Sequence, residues 1–346
     1  MYLHLLSLAF LLPALMFAQP PTYSNLVLTD VFEEPVTQNS HASTIVELGP
    51  DRLLVAWFGG SHEGAKDVGI YASNREGGSW SEPRQLVTPL VTEGDTLPCW
   101  NPVLYRSLGG KLYLFYKVGK NPREWFGAML TSDDDGAQWS APRYLPDGFL
   151  GPIRNKPIEP EPGVLLCGSS TENPTTDAWR VHLEQYNESA GSWERIAVPN
   201  PQDFEIIQPT FLQHGGDTLQ ILCRSKHDRL VSSWSYDKGN NWTEADTVAV
   251  PNSNSGVDAV TLASGDFLLV NNPLPRGKNW WNGRSVLDVE WSTDGLEWQS
   301  LFDLERHAEG EYSYPAIIQA ADGTVHVVYT YDRRTIRHAS FRLGER

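Results

Sequence analysis

Tryptophan recurs along this chain at Trp80, Trp139, Trp193, Trp242 and Trp298, in steps of 59, 54, 49 and 56 residues. A period of that length joined to a turn signature marks β-propeller blades of four strands each. The signature is complete at Ser132, Asp134, Gly136 and Trp139 and again at Ser235, Asp237, Gly239 and Trp242, both reading S-x-D-x-G-x-x-W. Ser73, Gly77 and Trp80 form a near copy with Arg75 at the Asp position; Ser292, Asp294 and Trp298 form one that is a residue short. Trp193, after Asn187-Glu-Ser-Ala-Gly-Ser, is the weakest copy. In such a turn the Asp side chain accepts backbone N–H groups, Gly takes a positive φ, and Trp packs between sheets. These turns mark the fold and carry no chemistry of their own.

Composition fits an all-β chain, because 29 Gly, 24 Pro, 13 Trp and 13 Tyr favour turns and strands and no long helical periodicity appears. Residues 1–18 hold an uncharged apolar run, Leu5 to Phe17, followed by Ala18, and read as a signal peptide for a secreted or periplasmic protein of a bacterial cell. No later run is long and apolar enough to span a bilayer, so no membrane association is expected after the leader is removed. The net charge of −16 lies wholly beyond residue 18 and makes nucleic acid an improbable partner. Cys99, Cys167 and Cys223 cannot make a closed disulfide framework; buried free thiols are expected over a Cys167–Cys223 bridge.

Residues Thr22 to Leu343 span 322 positions, which at the Trp spacing gives six blades. Inner strands are expected to begin at His41, Trp100, Arg154, Ile207, Ser255 and Tyr312, four of them with Pro in the first strand turn, where a missing N–H breaks no ladder bond. Second strands follow at Arg52–Phe58, Lys111–Lys117, Val164–Cys167, Thr218–Arg224, Phe267–Asn271 and Thr324–Thr330. The sixth blade has no room for a fourth strand before the chain ends, so Asn25–Phe32 is expected to supply it. Joining N- and C-terminal strands closes the ring, and truncating either end would leave unpaired edges. The expectation is therefore a single six-bladed domain over residues 19–346, with four-stranded antiparallel blades, as a monomer.

Strand starts and the ends of second strands converge on one mouth, the default site of a propeller. That mouth should collect His41, Glu63, Asn101, Lys117, Arg154, Asn155, Lys156, Glu172, Gln208, Arg224, Asn254, Arg284, Tyr312 and Arg333. Several cations aimed at one cavity of an acidic protein point to an anionic ligand held by guanidinium forks, and a carboxylated sugar fits. Trp280 and Trp281, beside Arg284 in a polar loop, suit a sugar-stacking platform. No metal-ligand spacing, phosphate loop or dinucleotide fingerprint appears, so no cofactor or metal is expected.

The S-x-D-x-G-x-x-W turns resemble the Asp boxes of the sialidase superfamily, and the chain is similar to its Asp-box, neuraminidase-like branch over nearly all its length. The stretch from Gln208-Pro to Arg224-Ser resembles the sialidase segment that supplies one of three carboxylate-binding arginines; Arg284 is similar to the next, and Tyr312 to the nucleophilic Tyr. The resemblance implies an exo-sialidase-type glycoside hydrolase acting on an acidic glycan, sialic acid or uronate. Two positions depart from it: His41 stands where the first carboxylate Arg is expected, and Gln208 where a Glu polarises the Tyr. Glu63 or Asp67 would serve as the acid/base, and Glu309 or Glu311 could stand in for the missing carboxylate, although adjacent strand residues face opposite ways.

A phenol is little ionised at neutral pH without such help, whereas His41 titrates near neutrality. His41 with Tyr312 and the arginines would also suit β-elimination at a uronate, in which cations neutralise the carboxylate and a base removes the adjacent proton. A polysaccharide lyase and a non-catalytic glycan-binding propeller thus remain beside the hydrolase reading. Substrate binding is assigned to Arg224, Arg284, Arg154, Lys156, Glu172, Arg333 and Trp281, and catalysis to Tyr312, His41, Glu63 and Gln208.

Overall fold

The computed structural model describes residues 19–279 and 281–344; the expected leader, residues 1–18, and Trp280 lie outside them. Six antiparallel sheets follow one another along the chain as the blades of a propeller. The first comprises Asn39–Gly49, Arg52–Gly60 and Gly69–Glu76, with Ser79–Trp80 and Arg84–Val87 both paired to the third strand. The second runs Cys99–Arg106, Leu112–Val118, Phe126–Ser132 and Arg143–Tyr144, and the third Ile158–Glu161, Val164–Glu172, Trp179–Asn187 and Ser192–Ala197. The fourth is Ile206–Gln213, Leu219–Ser225, Arg229–Ser235 and Asp246–Pro251; the fifth is Asp258–Thr261, Phe267–Asn271, Val286–Ser292 and Gln299–Arg306. The sixth takes Tyr312–Gln319, Val325–Tyr331 and Thr335–Leu343 from the C-terminal end and Tyr23–Asp30 as its outer strand, so the two ends close the ring.

Second strands are largely apolar away from their ends at the mouth, because both faces are covered by neighbouring blades. All seven residues of Leu112–Val118 are buried. Each interface between blades has its own apolar cluster. Leu54 and Ala56 meet Leu104 and Leu114 between the first and second blades, and Trp57 meets Val328 and Ile336 between the first and sixth. The three thiols are free and buried, and Cys167 and Cys223 lie in different interfaces, second with third and third with fourth. The outer strand Tyr23–Asp30, by contrast, is exposed along its whole length. It is held by its ladder to Thr335–Leu343 and by the Arg337–Asp30 ion pair rather than by core.

Three turns close as Asp boxes. Ser132 Oγ accepts Gly136 N–H at 2.9 Å while Asp134 Oδ1 accepts Gln138 N–H at 2.8 Å; Ser235 and Asp237 repeat this with Gly239 and Asn241 at 2.8 and 2.9 Å. The shortened copy does the same, Ser292 with Gly295 and Asp294 with Glu297, both at 2.9 Å. A Cβ on Gly239 (φ +92°) would sit 2.5 Å from Leu166 of the preceding blade, so the box presses one blade against another. The near copy at Ser73 is not a box. Gly77 and Gly78, both at positive φ, turn a hairpin that pairs Arg75 with Trp80, and Ser73 Oγ donates to Ser81 O at 2.7 Å instead. Trp193 likewise sits in a strand, stacked on Tyr186 at 4.7 Å.

The last hairpin of the sixth blade places His326 and His338 in contact, Nδ1 to Nε2 at 2.9 Å, with Trp80 packed against His338. Burial, with Arg75 nearby, depresses both rings, His326 to about 4 and His338 to about 3. Both folded values lie below the ordinary 6.5, so between those limits the unfolded chain binds more protons and stability rises with pH. The pair's contribution is complete above pH 6.5 and is lost progressively as the pH falls towards about 3. Urea midpoints measured across that window should fall with acidity, and less steeply in His338→Gln; an equal slope in the two proteins would show that the pair does not set it.

Candidate active site

One backbone irregularity recurs where inner strands begin. Ala42, Asn101, Gln208 and Tyr314 have φ of 53°, 38°, 55° and 53°. Each falls in a register shift against the second strand of its blade. This is a β-bulge, an extra residue that re-aims a side chain at the cost of a left-handed conformation. Three of the four precede Pro102, Pro209 and Pro315, whose missing N–H leaves no ladder bond unmade.

From the sixth blade, Tyr314 thereby reaches residues of four others. The guanidinium carbons of Arg154, Arg224 and Arg284 lie 5.1, 5.7 and 5.6 Å from its ring centroid, and the His41 ring lies at 4.3 Å. Arg224 Nη1 donates to the Tyr314 hydroxyl at 2.7 Å and to Gln208 Oε1 at 3.1 Å, and Nη2 to Asn254 Oδ1 at 3.4 Å. Trp179 covers the same guanidinium at 4.9 Å. Arg154 donates to Asn155 Oδ1 at 2.9 Å and Pro315 O at 2.6 Å. Arg284 donates to Glu311 Oε1 at 2.7 Å.

All three arginines are buried, at 3%, 6% and 2% exposure, yet Arg154 and Arg224 donate only to neutral acceptors. Among the described residues, neither Arg154 Nε nor Arg224 Nε has a hydrogen-bond partner. Burial, with Arg224 nearby, lowers Arg154 to about 10 even though Asp258 and Tyr314 oppose the shift. A buried cation without a matching charge is costly, and an entering anion relieves that cost.

Arg333 closes the other side. Its guanidinium donates to Glu311 Oε2 at 2.8 Å and to Glu63 Oε2 at 2.6 Å, and its Nη2 faces His41 Nε2 at 3.5 Å. Burial alone would raise Glu311, but Arg333 and Arg284 outweigh it and hold the carboxyl below its ordinary range. His41 Nδ1 lies 2.8 Å from Thr330 Oγ1, so a proton on Nδ1 leaves the Nε2 lone pair turned towards Arg333. Burial first, then Arg333, Arg284, Arg154 and Arg224, push His41 well below 6.5, and its imidazole is neutral at pH 7.

The structure therefore brings His41, Arg154, Gln208, Arg224, Arg284 and Arg333 together, with Glu63 at the rim. It corrects Tyr312. That ring packs with His307 and Tyr331 at 4.5 and 4.8 Å, in the apolar cluster between the fifth and sixth blades, and burial lifts its hydroxyl to about 12. The bulge, which alternation along a strand does not reveal, gives the position to Tyr314. Aligning strand starts on Pro would have found it, since Tyr314-Pro315 then stands with Gln208-Pro209 and Asn101-Pro102.

Lys156 is also corrected. The third blade shifts register only further along, between Ile158 and Glu161 and without a left-handed residue, and Lys156 pairs with Asp258, whose carboxylate also accepts Thr210 Oγ at 2.8 Å and Ile317 N–H at 2.9 Å. These four residues tie four blades together and do not face Tyr314. Lys117 is wholly buried and donates to Pro152 O at 2.6 Å. Glu172 stands half-buried at the rim, raised by burial against the pull of Arg224 and Arg123. Trp281 is 47% exposed on the loop before Arg284. Glu311, the weaker stand-in on strand alternation, does enter the cluster, since it lies just outside the strand that begins at Tyr312.

The BNR repeat-like domain family matches residues 51–327. The chain belongs to that family. Among solved structures, this BNR repeat protein is similar to a Dyadobacter fermentans protein of unknown function, with a TM-score of 0.71 and 14% identity over 92% of this chain and 99% of that one. The NanB sialidase of Streptococcus pneumoniae gives a TM-score of 0.68 and 12% identity, covering 92% of this chain and 70% of NanB. Trypanosoma rangeli sialidase gives 0.69 and 13%, with 92% of this chain spanning 59% of the enzyme. The shared feature is the six-bladed sialidase-type propeller. No curated protein matches the chain in sequence.

Proposed function

We propose that the mouth binds the carboxylate of an acidic sugar between Arg154, Arg224 and Arg284 and that the protein cleaves the adjoining glycosidic bond. The observation that carries this is a pair of buried guanidiniums, Arg154 and Arg224, that donate only to neutral acceptors around the Tyr314 hydroxyl. Hydrolysis is the first reading, in keeping with the sialidases that share the fold. Tyr314 would give its proton to the neutral His41 beside it as its oxygen attacks the anomeric carbon, Glu63 would protonate the departing oxygen, and water, losing a proton to Glu63, would release the sugar while His41 returns the proton to Tyr314. Export through the expected leader would place this site among extracellular glycans.

Elimination is the second reading, and Gln208 favours it: its amide accepts a hydrogen bond from Arg224 but cannot take the Tyr314 proton. Here the arginines offset the charge of a uronate carboxylate and so acidify the adjacent carbon. His41 Nε2 removes that proton, a double bond forms, and Tyr314 protonates the leaving oxygen. Four of the influences that depress His41 are arginine charges, so an anion bound to them would also raise its basicity.

The test is to incubate the purified protein with sialosides and with uronate-containing polysaccharides. New reducing ends without ultraviolet absorbance indicate hydrolysis, and an absorbing unsaturated product indicates elimination. Arg224→Ala should lower kcat/KM about 10²-fold or more, the usual cost of losing one partner of a buried charge pair. Equal activity in the two proteins, or equal activity on neutral glycans, would remove the mouth from the reaction. Binding without turnover would leave a glycan-binding propeller.

A further inference from the structure

We propose that the cleft between the second and third blades is a second sugar subsite, which holds a neutral ring adjoining the acidic sugar at Tyr314. This rests on the reading of the mouth given above. The cleft encloses about 520 Å³ and is lined by Trp125, Phe126, Tyr144, Phe149, Glu172 and Arg195, among others. That volume lies in the usual range of small-molecule sites. It opens on the same end of the propeller as the mouth, because Glu172 and Arg224 both stand at the end of a second strand.

A short relay of side chains connects the two. Glu172 is opposite Trp179 in the ladder, Trp179 covers the Arg224 guanidinium at 4.9 Å, and Arg224 donates to the Tyr314 hydroxyl at 2.7 Å. A chain whose acidic residue sits on Arg224 therefore meets this cleft next. Its chemistry suits a carbohydrate. Tyr144 is 47% exposed and edge-on to Phe126 at 5.4 Å, which leaves aromatic surface open to the C–H face of a sugar. Glu172 and Arg195 supply an acceptor and a donor for hydroxyls, and Arg195 has no ion pair among the described residues. Mixed charge, with Asp147 and Arg123 also present, fits a neutral ring better than a second anion.

The probes are the methyl glycoside of the acidic sugar, which lacks a second ring, and the disaccharide of whichever acidic glycan the wild-type protein cleaves in the screen above. The wild type should favour the disaccharide in kcat/KM by about tenfold, equivalent to about 1.4 kcal/mol. In Tyr144→Ala that ratio should fall towards one, with the change in KM rather than kcat. Tyr144 is half exposed on a two-residue outer strand, so its removal spares the core. A wild type indifferent to length, or a Tyr144→Ala variant with the wild-type ratio, would overturn the subsite. Arg224→Ala should depress both probes alike; if it does not, the mouth reading has failed and this one falls with it.

Discussion

Tyr314→Phe should lower turnover on the acidic glycan by about 10³-fold, within the range expected when a proton-transferring or nucleophilic group is lost, and leave substrate affinity within a few-fold. Tyr312→Phe should leave turnover unchanged within about twofold, since surface-like or non-contacting substitutions rarely reach the reaction. The contrast is sharp because the two residues lie two positions apart on one strand. Only the Tyr314 side chain meets the guanidinium groups: its hydroxyl takes a hydrogen bond from Arg224 at 2.7 Å, whereas the Tyr312 ring is packed between blades. The ring that Tyr314→Phe retains would keep its contacts with His41 and the guanidiniums, so affinity survives while chemistry does not. Steady-state kinetics of the two variants decide it, and a larger loss in Tyr312→Phe would return the reaction to the neighbouring interface.

Asp258→Ala should be the most destabilising single change near the axis, costing about 3–5 kcal/mol, the range for breaking a buried ion pair from one side. Asp258 is 1% exposed and answers Lys156, Thr210 and the backbone of Ile317, from the third, fourth and sixth blades. Removing it leaves the Lys156 ammonium without its acceptor and two donors unsatisfied. Lys156→Met should cost less, because Asp258 keeps the other two hydrogen bonds. Urea unfolding measures both. A loss below about 1 kcal/mol for Asp258→Ala would mean that solvent replaces the tie.

The propeller was legible in the sequence because its signals are periodic. Tryptophan spacing set the blade count, and apolar runs such as Leu112–Tyr116 marked strands covered on both faces. The closing strand followed from the missing fourth member of the last blade. Arg224 and Arg284 were legible for the same reason, one ending a second strand and the other introducing a third. The remaining positions depended on local departures from period. A single inserted residue turned Tyr314 rather than Tyr312 towards the arginines, which strict alternation cannot register. In the third blade no left-handed residue opens the inner strand and Lys156 pairs with Asp258, and a Gly77-Gly78 hairpin replaced the box expected at Ser73.

The four bulged residues have a wider meaning. Ala42, Asn101, Gln208 and Tyr314 occupy equivalent sockets on separate blades, and in each the unusual backbone angle is supplied by the surrounding strand pair rather than by the side chain it carries. A side chain can therefore be exchanged at one socket without asking the scaffold to move; in the first blade the place is held by Ala42, packed into the cluster between the first and second blades. Proteins built on this frame can change reaction by changing a handful of letters while hundreds of others keep the frame standing.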